Sequence, residues 1–190
     1  MRIFVGLDIP DEVRSRIEKY MQSVRELAPD ARWVRIESLH VTLKFIGESA
    51  EGRVRAVEEA LSQIKASAFQ IEFKDAGFFP SPKSARVFWI GIHASEALPQ
   101  LASAIDEKLE KLGIAKEGKS YKPHLTLART PERGGSSRCF HVLQQRPVPD
   151  GPLQFGTMTA REFFLYKSEL LRGGARYTKL NGFRLNDPGL

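Results

Sequence analysis

Cysteine is nearly missing: Cys139 is the one thiol among 190 residues. An internal disulfide is therefore excluded, and so is any multi-cysteine zinc site. Long apolar runs are missing too. The opening M-R-I-F-V-G-L-D meets Asp8 too early for a signal peptide. No stretch approaches the ~20 apolar residues that a membrane span needs. No Walker-type phosphate loop occurs, and no Ser or Cys sits in an elbow-like context for nucleophilic attack. A reducing, cytoplasmic setting without membrane contact is expected. Histidine is scarce as well, with four in the chain, and two of those four turn out to share one short phrase.

The rest of the composition is ordinary for a globular domain, 42% hydrophobic and 27% charged. Twenty-nine basic residues against 23 acidic ones leave a net charge of +6 and a pI near 9.5. That balance permits an anionic partner without requiring one. No dense Lys/Arg block of the tail kind is present.

Along the chain, R-I-F-V-G-L-D-I (2–9) reads as a strand. Pro10 then opens a helix with Asp11 and Glu12 in its first turn. Val13, Ile17, Met21 and Val24 recur at helical spacing. L-H-V-T-L-K-F-I (39–46) is a second strand, closed by Gly47. A helix is expected over 52–66, a strand from Phe69, and a turn around Pro80 and Pro82. The order then restarts. A strand begins at Arg86, Ser95 caps a helix bearing Leu98, Leu101, Ile105, Leu109 and Leu112, and Gly113 ends it. Y-K-P-H-L-T-L-A from Tyr121 is again a strand. The span 131–152 reads as a loop, and strand-like runs follow near 153–167 and 176–184. The class is α+β.

His40 and His124 lie 84 residues apart, and the same offset takes Phe4 to Phe88, Ile17 to Leu101, Thr42 to Thr126 and Leu43 to Leu127. The repeat is weak in sequence, but the order of elements repeats with it. The expectation is one domain over 1–190, made of two intertwined lobes from an internal duplication, with motifs at 40–42 and 124–126. The lobes would be antiparallel sheets with helices, related by a pseudo-two-fold axis around a central cleft.

Side chains alternate along a strand. His40, Thr42 and Lys44 therefore share one face, with Val41, Leu43 and Phe45 on the core face. His124 and Thr126 share a face likewise. A lone His-x-Thr in a strand is ordinarily structural; two copies at matching places invert that. An imidazole titrates near neutrality, so one histidine can take a proton from water while the other gives one to a leaving oxygen. Threonine hydroxyls can hold the oxygens of an anion. The set suits metal-free, in-line hydrolysis of a phosphodiester. A zinc site is the sharper competitor, but neither motif contains a carboxylate or thiol. Lys44 and Arg129 could also touch phosphate, although strict alternation points Arg129 away from His124 unless a bulge re-aims it. Trp33, Tyr121 and Phe45 could stack a base, with core packing as the plainer reading. His93 and His141 read as structural or solvated.

R-I-F-V-G-L-D-I-P, L-H-V-T-L-K-F-I-G-E, K-P-H-L-T-L-A-R and L-Y-K-S-E-L…G-G-A-R-Y-T-K-L together resemble the 2H phosphoesterase superfamily, and within it the RNA 2′,3′-cyclic phosphodiesterases, historically called 2′-5′ RNA ligases. The resemblance covers nearly the whole chain. It implies a bilobal α+β fold and hydrolysis of an RNA 2′,3′-cyclic phosphate end to a 2′-phosphate, with no cofactor or metal. It carries catalysis to His40 and His124, and phosphate binding to Thr42, Thr126 and Arg129. The implied partner is RNA ending in a cyclic phosphate, tRNA fragments or small nucleotides included, and a monomer is expected. Which histidine is acid and which base stays open. So do 2′-5′ ligation by the reverse step, action on small cyclic nucleotides, and a non-catalytic RNA-binding role.

Overall fold

The computed structural model describes residues 1–118, 120–131, 137–145, 153–171 and 174–187. Among them β1 (Arg2–Leu7) leads into α1 (Asp11–Val24), which buries Val13, Ile17, Met21 and Val24, the stripe its spacing predicts. A two-residue strand, β2 (Arg32–Trp33), precedes β3 (Val41–Glu48) and α2 (Glu51–Ser62). Then come β4 (Phe69–Phe79), β5 (Val87–Ala94), α3 (Ala97–Glu110) and β6 (His124–Arg129). The short α4 (His141–Gln144) is followed by β7 (Gln154–Ala160), β8 (Glu162–Leu171) and β9 (Gly174–Arg184).

Gly113 ends the α3 turn at φ +73, where a side chain would be strained. Ser95 sits one residue before the N-cap, Glu96, and its hydroxyl accepts weakly from Ala97 N at 3.4 Å. Part of the 131–152 span departs from the loop reading. A 3-10 turn and α4 occupy 137–144, anchored by Phe140, which is fully buried against Phe78 and Phe88. Residues 132–136 and 146–152 of that span lie outside the described residues.

Two antiparallel sheets result, ordered β3-β1-β8-β9 and β2-β6-β5-β4-β7. In both, the strand with the His-x-Thr phrase pairs with the strand that opens its half, β3 with β1 and β6 with β5. The helices cross over. α1 follows a strand of the first sheet but lies against β7 of the second, while α3 follows the second sheet and lies against β3 of the first. Ile17 and Leu101, one on each helix, are 0% and 1% exposed and belong to one continuous core that includes both sheets. Burying each contributes about 1.5–3 kcal/mol, so the exchange ties the sheets together.

Both motif strands carry a β-bulge at the matching place. Gly6 pairs with Thr42 and Val5 with Lys44, leaving Leu43 without a partner. Trp89 pairs with Thr126 and Phe88 with Ala128, leaving Leu127 without one. An extra residue reverses the facing of everything after it. This corrects two expectations drawn from strict alternation. Phe45 is not in the core but 56% exposed, and Lys44 turns inward at 2% exposed.

Candidate active site

His40 stands immediately before β3 and His124 opens β6. Each ring is fixed by the same local device. Nδ1 of His40 donates to the carbonyl of Ser38 at 2.8 Å, and Nδ1 of His124 to the carbonyl of Lys122 at 2.7 Å. A carbonyl can only accept, so both neutral rings carry their proton on Nδ1 and present Nε2 as the base. The carbonyl two residues upstream comes within reach in both because both motifs enter their strands in the same way.

Beyond Nδ1 the two differ. Nε2 of His40 accepts from the Thr42 hydroxyl at 3.0 Å. Nε2 of His124 meets no hydrogen-bonding group among the described residues. Burial pushes His40 below the ordinary imidazole value; the Ser38 carbonyl and the Asp8 carboxylate pull it back up, and Arg14 presses it down. Burial also lowers His124, the Lys122 carbonyl opposes this, and the Arg129 guanidinium adds to it. The rings around them differ as well. Phe4 lies 4.5 Å from the His40 ring and Tyr177 meets it edge-on at 4.8 Å, whereas Phe79 meets His124 edge-on at 5.0 Å.

The two motif strands are neighbours, and their histidines line two separate cavities, His40 one and His124 the other. β3 lies against β6, and the Tyr121 hydroxyl donates to the Thr42 carbonyl at 2.9 Å. A cleft of about 850 Å³ is lined by Thr42, Phe45, Phe79, Tyr121, Lys122 and His124, among others. A smaller cavity of about 390 Å³ lies on the His40 side, with Asp8, Arg14, Tyr166, Tyr177 and Lys179 in its wall.

The bulge that re-aims Arg129 is present, and Nη2 of Arg129 lies 3.5 Å from the Thr126 hydroxyl. Lys44 also lines the larger cleft, but its ammonium is already engaged. Its ammonium is held by Asp106 at 2.5 Å and the Ala115 carbonyl at 2.6 Å. It ties β3 to α3 and to the segment leading toward His124. Of the aromatic candidates, Phe45 and Tyr121 line the cleft. Trp33 packs on Phe88 and donates to the Ala28 carbonyl, away from it. His93 pairs with Asp75 at 3.2 Å and His141 with Gln145 at 3.0 Å; neither lines a cavity described above. Sequence reasoning passed over Asp8 and Tyr177. Asp8 read only as the break in an apolar run, and Tyr177 stood inside the phrase G-G-A-R-Y-T-K-L with no role assigned to it. Among the described residues, no three His, Cys, Asp or Glu side chains converge as a metal site, and no helix is long and apolar enough to cross a membrane.

Comparison with known proteins points to phosphoesterases. A family model described as LigT like Phosphoesterase matches residues 7–89. The RNA 2′,3′-cyclic phosphodiesterase of Archaeoglobus fulgidus is 33% identical over 183 residues, covering 96% of this chain and 99% of that protein. The protein of the same name from Methanocaldococcus jannaschii is 32% identical over 93% of this chain and 96% of its own. Among solved structures, Escherichia coli LigT complexed with 3′-AMP is 28% identical and superposes with a TM-score of 0.78, covering 97% of both chains.

Proposed function

The chain belongs to the LigT-like phosphoesterases, and on that premise we propose that it hydrolyses the 2′,3′-cyclic phosphate at an RNA end to a 2′-phosphate, using His40 and His124 as an acid–base pair and no metal. The observation that carries this reading is the shared Nδ1–carbonyl clamp, which leaves an Nε2 atom on each motif histidine as a proton-transfer group. Relatives named RNA 2′,3′-cyclic phosphodiesterase support the substrate class.

In this scheme Nε2 of His124 takes a proton from water as its oxygen attacks phosphorus. The P–O3′ bond breaks, and Nε2–H of His40 delivers a proton to the departing 3′-oxygen. Thr42, Thr126 and Arg129 hold the non-bridging oxygens. The charges favour this assignment over the reverse. Asp8 stabilises a cationic His40, and Arg129 opposes a cationic His124. His124 also has the Nε2 that no group among the described residues occupies. Lys44 has no part in phosphate binding here. Phe45 and Tyr121 line the cleft where a terminal base would lie. If a 5′-hydroxyl takes the place of water in the ring-opening step, the same site joins two RNA ends 2′–5′. The matched bulges and reciprocal helix exchange fit an internal duplication as the origin of the two halves.

The test is an RNA ending in a 2′,3′-cyclic phosphate, incubated with chelator, followed by mapping of the product phosphate. A 2′-phosphate is expected. A 3′-phosphate would overturn the 3′-leaving orientation, loss of activity to the chelator would overturn the metal-free scheme, and binding without turnover would leave a non-catalytic RNA-binding module.

A further inference from the structure

Tyr177 belongs to neither motif. It lies on β9, paired with Ser168 of β8. One side of its ring packs into an aromatic cluster with Phe4, at 4.9 Å edge-on, and with His40 at 4.8 Å. Tyr177 lines the cavity beside His40. Burial raises the Tyr177 hydroxyl above its usual value while the Arg129 guanidinium draws it down, and Tyr177 acts in return on Arg129. Arg129 follows the second motif and reaches Thr126. Tyr177 thus packs on the histidine of one half and feels the charge of the cation that follows the other motif.

Its hydroxyl makes no hydrogen bond among the described residues, although the residue is half-buried and lines the cavity beside His40. A half-buried O–H normally has a partner. The cavity it opens on is also lined by Arg14 and Lys179, which donate only, so an anion oxygen entering beside His40 is the partner that fits. The direction of the shift keeps the phenol protonated, hence a donor, at neutral pH.

We propose that Tyr177 is a further catalytic residue, donating a hydrogen bond to a non-bridging phosphate oxygen beside His40. This rests on the phosphodiesterase reading above. No proton changes hands at Tyr177. Negative charge on that oxygen grows as water adds to phosphorus, and a fixed donor gains strength with it.

Tyr177→Phe separates the two roles, since it keeps the ring against Phe4 and His40 and removes the hydroxyl. For an RNA with a cyclic phosphate end, kcat/KM should fall by about 10- to 100-fold, the scale of one hydrogen bond to a charged group. Affinity for inorganic phosphate should fall with it, and the thermal midpoint should not change. Undiminished phosphate affinity or undiminished kcat/KM in Tyr177→Phe would overturn the proposal. Titration with inorganic phosphate needs no turnover. A wild-type protein that leaves cyclic phosphates untouched, yet loses phosphate affinity in Tyr177→Phe, would sink the phosphodiesterase reading and keep the donor.

Discussion

His40 and His124 are clamped by the same backbone device and enter strands bulged at the same point, yet they sit in unlike surroundings. His40 is walled by Phe4 and Tyr177 and feels the carboxylate of Asp8; His124 meets the edge of Phe79 and feels Arg129. The backbone is near-symmetric while the charges and rings are not. A symmetric pair of imidazoles would share one proton affinity, and neither would be favoured as donor. Unlike neighbours separate the affinities, and such separation assigns acid and base. The largest expected effect tests whether both halves take part. His40→Ala and His124→Ala should each lower kcat/KM by about 10²–10⁴-fold. The double variant should be little worse than the poorer single one, because the two act as a unit. Full activity in either single variant would break the pairing.

The two cations that follow the motifs make the next contrast. Lys44 and Arg129 both come after a bulge, but one turns in and the other turns out. Removing Lys44 leaves Asp106, 18% exposed, without its charge partner. Lys44→Ala should therefore destabilise the fold by about 3–5 kcal/mol, as breaking a buried pair does, measured by denaturant titration. Arg129→Ala should leave stability within about 0.5 kcal/mol, as for an exposed position, and instead weaken phosphate affinity and kcat/KM. Equal behaviour of the two variants would mean that the bulges do not sort them as described.

These same residues mark where sequence was informative. The helices were legible because Val13, Ile17, Met21 and Val24 repeat at 3.6 residues, which any amphipathic helix must show. The His-x-Thr phrases were legible because the chemistry needs those residues on adjacent same-face positions. The bulges were not. Leu43 and Leu127 look like ordinary strand residues, and only the pairing with β1 and β5 leaves them without partners. Alternation therefore placed Phe45 in the core and left the Lys44 ammonium free in the cleft, whereas Phe45 is exposed and Lys44 is buried against Asp106. The crossing of α1 and α3 onto the opposite sheets was also hidden, since an apolar stripe says that a helix is covered, not by what. Asp8 and Tyr177 reach His40 from β1's exit and from β9, across sheet contacts that no local pattern announces.

The smallest expected effect is a shift rather than a loss, and it bears directly on the asymmetry. In the free protein both imidazoles lie below the ordinary 6.5. In the proposed scheme the productive form has His124 neutral and His40 protonated. A form with one ring protonated is lost above both values, so kcat/KM should reach its maximum on the acid side of 6.5 and fall as pH increases through neutrality. With Asp8 holding His40 the higher of the two in that scheme, His124 sets the acid limb and His40 the alkaline limb. Asp8 shares its cavity with Arg14, Lys179 and Glu37, and both cations pair with it, at 2.9 and 2.5 Å. Asp8→Asn removes the carboxylate charge that raises His40 and leaves the lowering influence of Arg14 unopposed. The alkaline limb should move to lower pH, the acid limb should stay, and the bell should narrow. A shift of the acid limb instead would exchange the two roles, making His40 the base.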